Sequence, residues 1–223
     1  MSRYDRLLEL STFSKEKLEL LHKKRILLVG VGGVGQYVAT SLITNGIKHL
    51  TIVDFDKVEL SNLNRQILLK EEDVGERKVD VVLKELQKKN SEADISPLNL
   101  KVVESNVDSL MRNVDVVVDA VDNWKTKLIL GRACAKYKIP FLHIGVDGMR
   151  GQYCLFNKKS LLDIFDESIV EEQRDGVMGP MVGTVASLAS MYLINYLVGD
   201  APSDILYYFD AKENKLGEMK IQG

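Results

Sequence analysis

The sequence predicts an α/β fold: a doubly wound, mostly parallel sheet followed by antiparallel strands at the C-terminal end. Two observations carry this reading. From residue 25 to 146, apolar runs of strand length alternate with stretches of helical periodicity. Such alternation calls for a parallel sheet with helices on both faces. Beyond residue 150 the alternation stops, and two short strand-like runs are separated by only Ala-Lys-Glu-Asn, a hairpin spacing.

The elements follow in order. Residues 15–21 read as a short helix, with Ser14 placed to cap it. Residues 25–31 (RILLVGV) are an apolar run that ends in glycines and read as a buried strand. A helix spans 33–45 and stops at Gly46, a residue type suited to the left-handed conformation after a helix end. Residues 50–55 are a second strand, and 78–89 an amphipathic helix with Val81, Val82 and Leu86 on one side. Strands are expected at 95–103, at 114–120, at 140–146 and from 152 to 156, with a helix at 126–137. The run at 114–120 (VDVVVDA) is apolar enough to be buried on both faces. A long helix at 182–198 is apolar nearly all round, which suits a core element or a dimer interface, and Gly199 stops it. Residues 205–210 and 215–220 form the terminal hairpin.

Composition narrows the class. Of 223 residues, 45% are hydrophobic and 28% charged, an ordinary balance for a soluble domain with its own core. Lys and Arg number 30 against 32 Asp and Glu, a net charge of −2. That argues against a basic nucleic-acid wrapper and leaves a local basic groove open. The two cysteines, Cys134 and Cys154, are too few for a disulfide framework or a four-thiolate zinc site, and point to a reducing, cytoplasmic setting. Both lie in apolar patterns and read as packing residues rather than nucleophiles. No apolar run reaches the ~18 residues of a membrane span, and the charged N-terminus lacks a signal-peptide core.

The chemistry sits at the ends of the expected strands, where open parallel sheets bind ligands. Gly30-Val31-Gly32-Gly33-Val34-Gly35 fits G-x-G-x-x-G between a strand and a helix. Glycines allow the tight turn and a close backbone approach, and the helix N-terminus offers free N–H groups to a phosphate. The motif does not separate NAD from ATP, and a purely structural strand–helix turn is the alternative. Asp54, at the end of the second strand, stands where a carboxylate accepts ribose hydroxyls; a solvated turn aspartate is its alternative.

The next segment separates the cofactors. Asn62, Arg65 and Gln66 follow the second strand, and Lys78 comes soon after. Hydride transfer has no use for an amide, a guanidinium and an ammonium there, whereas a triphosphate does. Asp119 and Asp122, in Asp-Ala-Val-Asp-Asn, are carboxylates after a buried strand and so candidates for Mg²⁺. Asp122 is the stronger candidate because it lies further past the strand end; a turn or capping role is open for Asp119. His143 is a candidate for the site or for a satisfied buried histidine, and Trp124 for an adenine neighbour or a helix anchor.

These motifs, taken in order, resemble the ThiF/MoeB/HesA family, bacterial relatives of ubiquitin-activating enzymes. The resemblance rests on Arg3-Tyr4-Asp5-Arg6, on GVGGVG, on VDFDKVELSNLNRQ, on Gly75 to Lys78, on DAVDN, and on the glycine-rich run from Gly176 to Gly183. It implies a single Rossmann-like adenylation domain over 1–223. Its parts would be an N-terminal helical arm (1–24), a nucleotide-binding core (25–146), and a crossover loop, long helix and terminal hairpin (147–223). It implies that ATP and Mg²⁺ are bound and that the C-terminal glycine of a ubiquitin-like sulfur-carrier protein is adenylated. On that pattern Gly30, Gly32, Gly33 and Gly35 form the phosphate turn and Asp54 binds ribose. Asn62, Arg65 and Lys78 bind phosphates, Gln66 shapes the site, and Asp122 holds Mg²⁺. Arg6 would reach the phosphates from the partner subunit, which implies a homodimer.

The sequence departs from the family in three places. The paired Cys-x-x-Cys motifs that hold zinc in many members are missing, so no zinc is expected. No cysteine lies between residues 157 and 175, where many members carry one for thioester or persulfide chemistry. Lys127 stands where many members have Arg. That last form also resembles the branch that cyclises threonylcarbamoyladenosine on tRNA, which is the alternative reading. A non-catalytic partner-binding scaffold is a second alternative. The acidic segment 160–174 is either a crossover loop over the carrier's tail or a solvated surface helix.

Overall fold

The computed structural model describes residues 2–165 and 176–221. Among these residues, one sheet of eight strands forms: β1 (Arg25–Val29), β2 (His49–Asp54), β3 (Asp94–Asn99), β4 (Val116–Asp119), β5 (Phe141–Asp147), β6 (Arg150–Phe156), β7 (Ile205–Asp210) and β8 (Lys215–Lys220). Their order is β3-β2-β1-β4-β5-β6-β7-β8. The first five run parallel, and β6 to β8 join antiparallel.

Seven α-helices accompany the sheet among the described residues: α1 (Asp5–Leu8), α2 (Lys15–Lys23), α3 (Gly33–Thr44), α4 (Lys78–Lys89), α5 (Glu104–Leu110), α6 (Trp124–Tyr137) and α7 (Gly179–Leu197). The central strands explain why both faces are covered. In β1, Ile26 and Leu28 join one core with α3, α4 and α7, while Leu27 and Val29 join the other with α5 and α6. Strands β4 and β5 divide in the same way, Val118 and Leu142 to the first core, Val117 and Phe141 to the second. A strand with no polar face fits only between two helical layers.

The helix ends behave as their residue types dictate. The Ser14 hydroxyl accepts from Lys17 N at 3.4 Å, and Asn123 Oδ1 accepts from Thr126 N at 2.9 Å. Capping of α6 therefore falls to Asn123 and not to Asp122. Gly46 (φ +114°) and Gly199 (φ +86°) take the left-handed turns that end α3 and α7. The hairpin forms as expected, with Asp210 Oδ1 accepting from Lys212 N at 2.9 Å inside its turn.

Several expected boundaries are corrected. The third strand ends at Asn99 rather than 103, because the chain turns there toward α5, a helix of only seven residues whose single buried side chain, Val107, left no readable periodicity. The fourth strand is trimmed to Val116–Asp119, and α7 begins at Gly179, three residues early, with Pro180 in its first turn. The N-terminal helix α1 and the one-turn 3₁₀ segment Leu60–Asn62 carried no amphipathic signal. No helix among the described residues is long and apolar enough to cross a membrane.

Strands β1 and β4 are neighbours, yet the chain leaves their C-terminal ends toward opposite faces. Here the backbones interlock. Gly30 has φ +92°, and a Cβ placed on it would lie 2.6 Å from the Ala120 carbonyl oxygen. A Cβ on Gly35 would in turn collide with the carbonyl oxygen of Gly30. Replacing Gly30 by alanine is expected to cost about 2–4 kcal/mol, from the left-handed backbone and the clash together. Urea denaturation of Gly30→Ala against the parent protein checks this, and an unchanged midpoint would refute it.

Candidate active site

A cavity of about 1320 Å³ opens at this divergence of β1 and β4. It exceeds the roughly 300–1,000 Å³ of an ordinary small-molecule cleft, so it has room for a nucleotide and the end of a second reactant. Gly30, Gly32, Gly33, Asp54, Asn62, Arg65, Gln66, Lys78 and Asp122 all line it. The sequence therefore scattered along 90-odd positions converges on one pocket. Gly35 and Arg6 do not line it. Gly35 serves packing beneath Gly30, and Arg6 is almost wholly exposed on α1, paired with Glu9 at 2.7 Å.

Each lining group is held by its neighbours. Asp54 Oδ2 accepts from Val31 N at 2.8 Å, and Oδ1 from Asp56 N at 2.9 Å. The carboxylate expected to meet a ribose thus also fixes the glycine-rich turn. Asn62 is buried, and its Oδ1 accepts from Glu59 N at 3.1 Å, which leaves Nδ2 as the donor for an occupant. Arg65 Nη1 donates to Ser61 O at 3.0 Å and to Asn64 Oδ1 at 2.8 Å. These bonds occupy one guanidinium nitrogen and leave further donors for an anion. Gln66 is buried and its Oε1 accepts from Gln36 Nε2 at 3.3 Å; Gln36 also bonds Val31 O and Leu68 N. Gln66 therefore shapes the site through a buried amide network.

Lys78 is 6% exposed and its ammonium donates to Asp56 Oδ2 at 2.9 Å. A short antiparallel connection between Lys57 and Arg77, with Val58 N bonded to Glu76 O at 2.8 Å, brings the start of α4 back to the second strand's exit. Sequence reasoning left out Asp56. Its signal was the second acid of Asp-Phe-Asp, two residues from the ribose candidate.

Asp119 and Asp122 separate cleanly. Asp122 is exposed and faces solvent in the pocket, whereas Asp119 is fully buried. Asp119 Oδ2 meets Lys127 Nζ at 2.9 Å and His143 Nδ1 at 2.9 Å, and Oδ1 accepts from Val121 N at 3.2 Å. With both oxygens engaged, Asp119 is a turn-and-ion-pair residue, which corrects its candidacy for Mg²⁺. Burial alone would push its carboxyl up, but the Lys127 ammonium and the His143 hydrogen bond outweigh that and hold it below the ordinary carboxylate value. Burial, then the charge of Lys127, pushes His143 below its ordinary value. His143 is thus both a satisfied buried histidine and a lining residue, and Trp124 stacks on it with centroids 5.8 Å apart. Of the acidic segment 160–174, the part from 166 to 174 lies outside the described residues.

The model of the ThiF family matches residues 4–223. The molybdopterin-synthase adenylyltransferase of Escherichia coli K12 is 32% identical over 230 residues, which cover 99% of this chain and 92% of the relative. An adenylyltransferase and sulfurtransferase MOCS3 of Culex quinquefasciatus is 30% identical, and the match spans all of this chain but 53% of the relative. Among solved structures, E. coli MccB with ATP superposes with a TM-score of 0.88 at 20% identity, over 99% of this chain and 72% of that one. At that identity the likeness shows the fold.

Both cysteines are buried, and burial pushes both thiols far up from their ordinary value. At pH 8 they are protonated and shielded. Iodoacetamide is expected to leave the native protein unlabelled and to add two carbamidomethyl groups after unfolding, read by intact mass. Rapid labelling of the native protein would reopen a nucleophilic role.

Proposed function

The chain belongs to the ThiF family, and on that premise we propose that it is an ATP- and Mg²⁺-dependent adenylyltransferase acting on the C-terminal glycine carboxylate of a small ubiquitin-like sulfur-carrier protein. The observation that carries this is the convergence of Asn62, Arg65, Lys78 and Asp122 beside the glycine-rich turn in one oversized pocket. The relatives named as adenylyltransferases support the reaction class.

The roles follow from the donors present. Asp54 accepts from the ribose, and the turn at Gly30 to Gly33 and the N-terminus of α3 face the phosphates. Arg65 and Lys78 neutralise phosphate charge, and Asn62 donates an amide hydrogen. The exposed Asp122 carboxylate is a hard oxygen ligand, which fits Mg²⁺ held through one protein oxygen, waters and phosphates. Bound there, Mg²⁺ would supply charge neutralisation at the phosphate oxygens.

The carrier's carboxylate is ionised at neutral pH and attacks the α-phosphorus directly. A bond forms between a carboxylate oxygen and phosphorus, the bond from the α-phosphorus to the bridging oxygen breaks, and pyrophosphate leaves with that electron pair. No proton moves, so no general base is required. Alignment and charge neutralisation supply the acceleration. Arg6 lies outside its own chain's pocket, which agrees with service to the pocket of a partner in a homodimer. A reducing, cytoplasmic setting accords with two unbridged, buried cysteines.

ATP–pyrophosphate exchange with Mg²⁺, run against purified carriers ending in Gly-Gly, tests the reading. Exchange is expected with the cognate carrier, with a fall of at least ~100-fold in Asp122→Ala. Silence with every carrier, with ATP consumed in the presence of tRNA bearing threonylcarbamoyladenosine, would move the assignment to the tRNA-modifying branch. Silence with both would leave the scaffold reading.

A further inference from the structure

Lys127 and His143, which line the pocket, and Asp119, which bonds both, take no part in the chemistry above. Asp119, Lys127 and His143 are 0%, 4% and 1% exposed and come from three different elements: the end of β4, the first turns of α6, and β5. Lys127 Nζ donates to Asp119 Oδ2 and to Ile144 O, both at 2.9 Å. It therefore ties α6 to β4 and β5 at once. His143 in its neutral form donates from Nδ1 to Asp119, and its Nε2 faces Gln152 Nε2 at 3.4 Å. The remaining oxygen of Asp119 holds Val121 N.

The consequence falls on Asp122. It is the one residue of the turn between two fixed points: Val121, bound by Asp119, and Asn123, whose side chain caps α6 and whose carbonyl accepts from Lys127 N at 3.2 Å. A buried ion pair is weak support for stability, since apolar groups of the same volume often serve as well. What such a pair supplies is direction.

We propose that Asp119, Lys127 and His143 form a positioning unit that fixes the turn carrying Asp122 and so aims its carboxylate at nucleotide-borne Mg²⁺. This rests on the role given to Asp122 in the preceding section. None of the three touches the reacting atoms; they act through Asp122, as outer-shell partners orient a metal ligand.

The test compares ATP affinity with and without Mg²⁺ by titration calorimetry, which needs no carrier. In Lys127→Met, the Mg²⁺-dependent gain in ATP affinity is expected to fall ~10-fold or more, while metal-free ATP binding stays the same. Lys127→Arg is expected to restore most of the gain, because a guanidinium keeps the charge and the donors. The double variant Asp119→Asn/Lys127→Met removes both charges together, leaves no unpaired buried carboxylate, and is expected to lose the gain as well. A folded variant with its Mg²⁺ gain intact, or one that loses ATP affinity equally with and without the metal, would overturn the proposal. Failure of both Met variants to fold would also overturn it, by making the unit a determinant of the fold alone. If the exchange assay is silent with every carrier but the calorimetric pattern holds, the positioning unit stands and only the substrate falls. Wild-type protein whose ATP affinity ignores Mg²⁺ would overturn both.

Discussion

Everything at the site depends on how closely two backbones approach where the chain reverses its direction of winding. Strands β1 and β4 lie side by side, and Gly30 sits against the carbonyl of Ala120 with no room for a side chain. That contact sets the distance between the glycine-rich turn and the turn that carries Asp122. Had Gly30 a Cβ, it would meet the Ala120 carbonyl and force the two turns apart. The apolar alternation of β1, β4 and β5 into two cores supplies the rigidity that keeps the strands in register beneath it.

A second regularity concerns charge. The pocket's two buried ammonium groups each have a carboxylate in hand: Lys78 has Asp56, and Lys127 has Asp119. The pairs differ in reach. Asp56 is exposed, so Lys78 is paired with a solvated acid. Asp119 has no exposure at all, and Lys127 also holds a main-chain carbonyl, so that pair is fixed within the protein. The same two residue types thus make an adaptable contact in one place and a fixed joint in the other, according to the burial of the acid and the extra main-chain bond.

Much of this was legible in the sequence because glycines, apolar runs and charged groups in fixed order leave strong local signals. The sheet core, the glycine-rich turn, the cap at Ser14 and the convergence of Asn62, Arg65, Lys78 and Asp122 all belong to that class. What stayed hidden depends on distance in three dimensions. Lys127 was visible only as a substitution for arginine, and nothing local paired it with Asp119, eight residues back, or paired Asp119 with His143, 24 positions ahead. Asp56 carried no signal of its own until α4 returned beside it. Helix α5 escaped because seven residues with one buried side chain show no period.

The strand order also constrains how the chain reaches its folded state. Arg25 N, at the start of β1, bonds the Asp115 carboxylate 90 positions away, while β2 and β3 complete the other flank much sooner. As the chain emerges during synthesis, β1, β2 and β3 can pair first. Until β4 arrives, β1 then presents an unpaired edge of apolar residues, Ile26 to Val29. Such an edge is a template for unwanted pairing. The ligand pocket, which needs β4 beside β1, is therefore late in assembly, and the protein's greatest exposure to aggregation falls in the interval before its central strand is delivered.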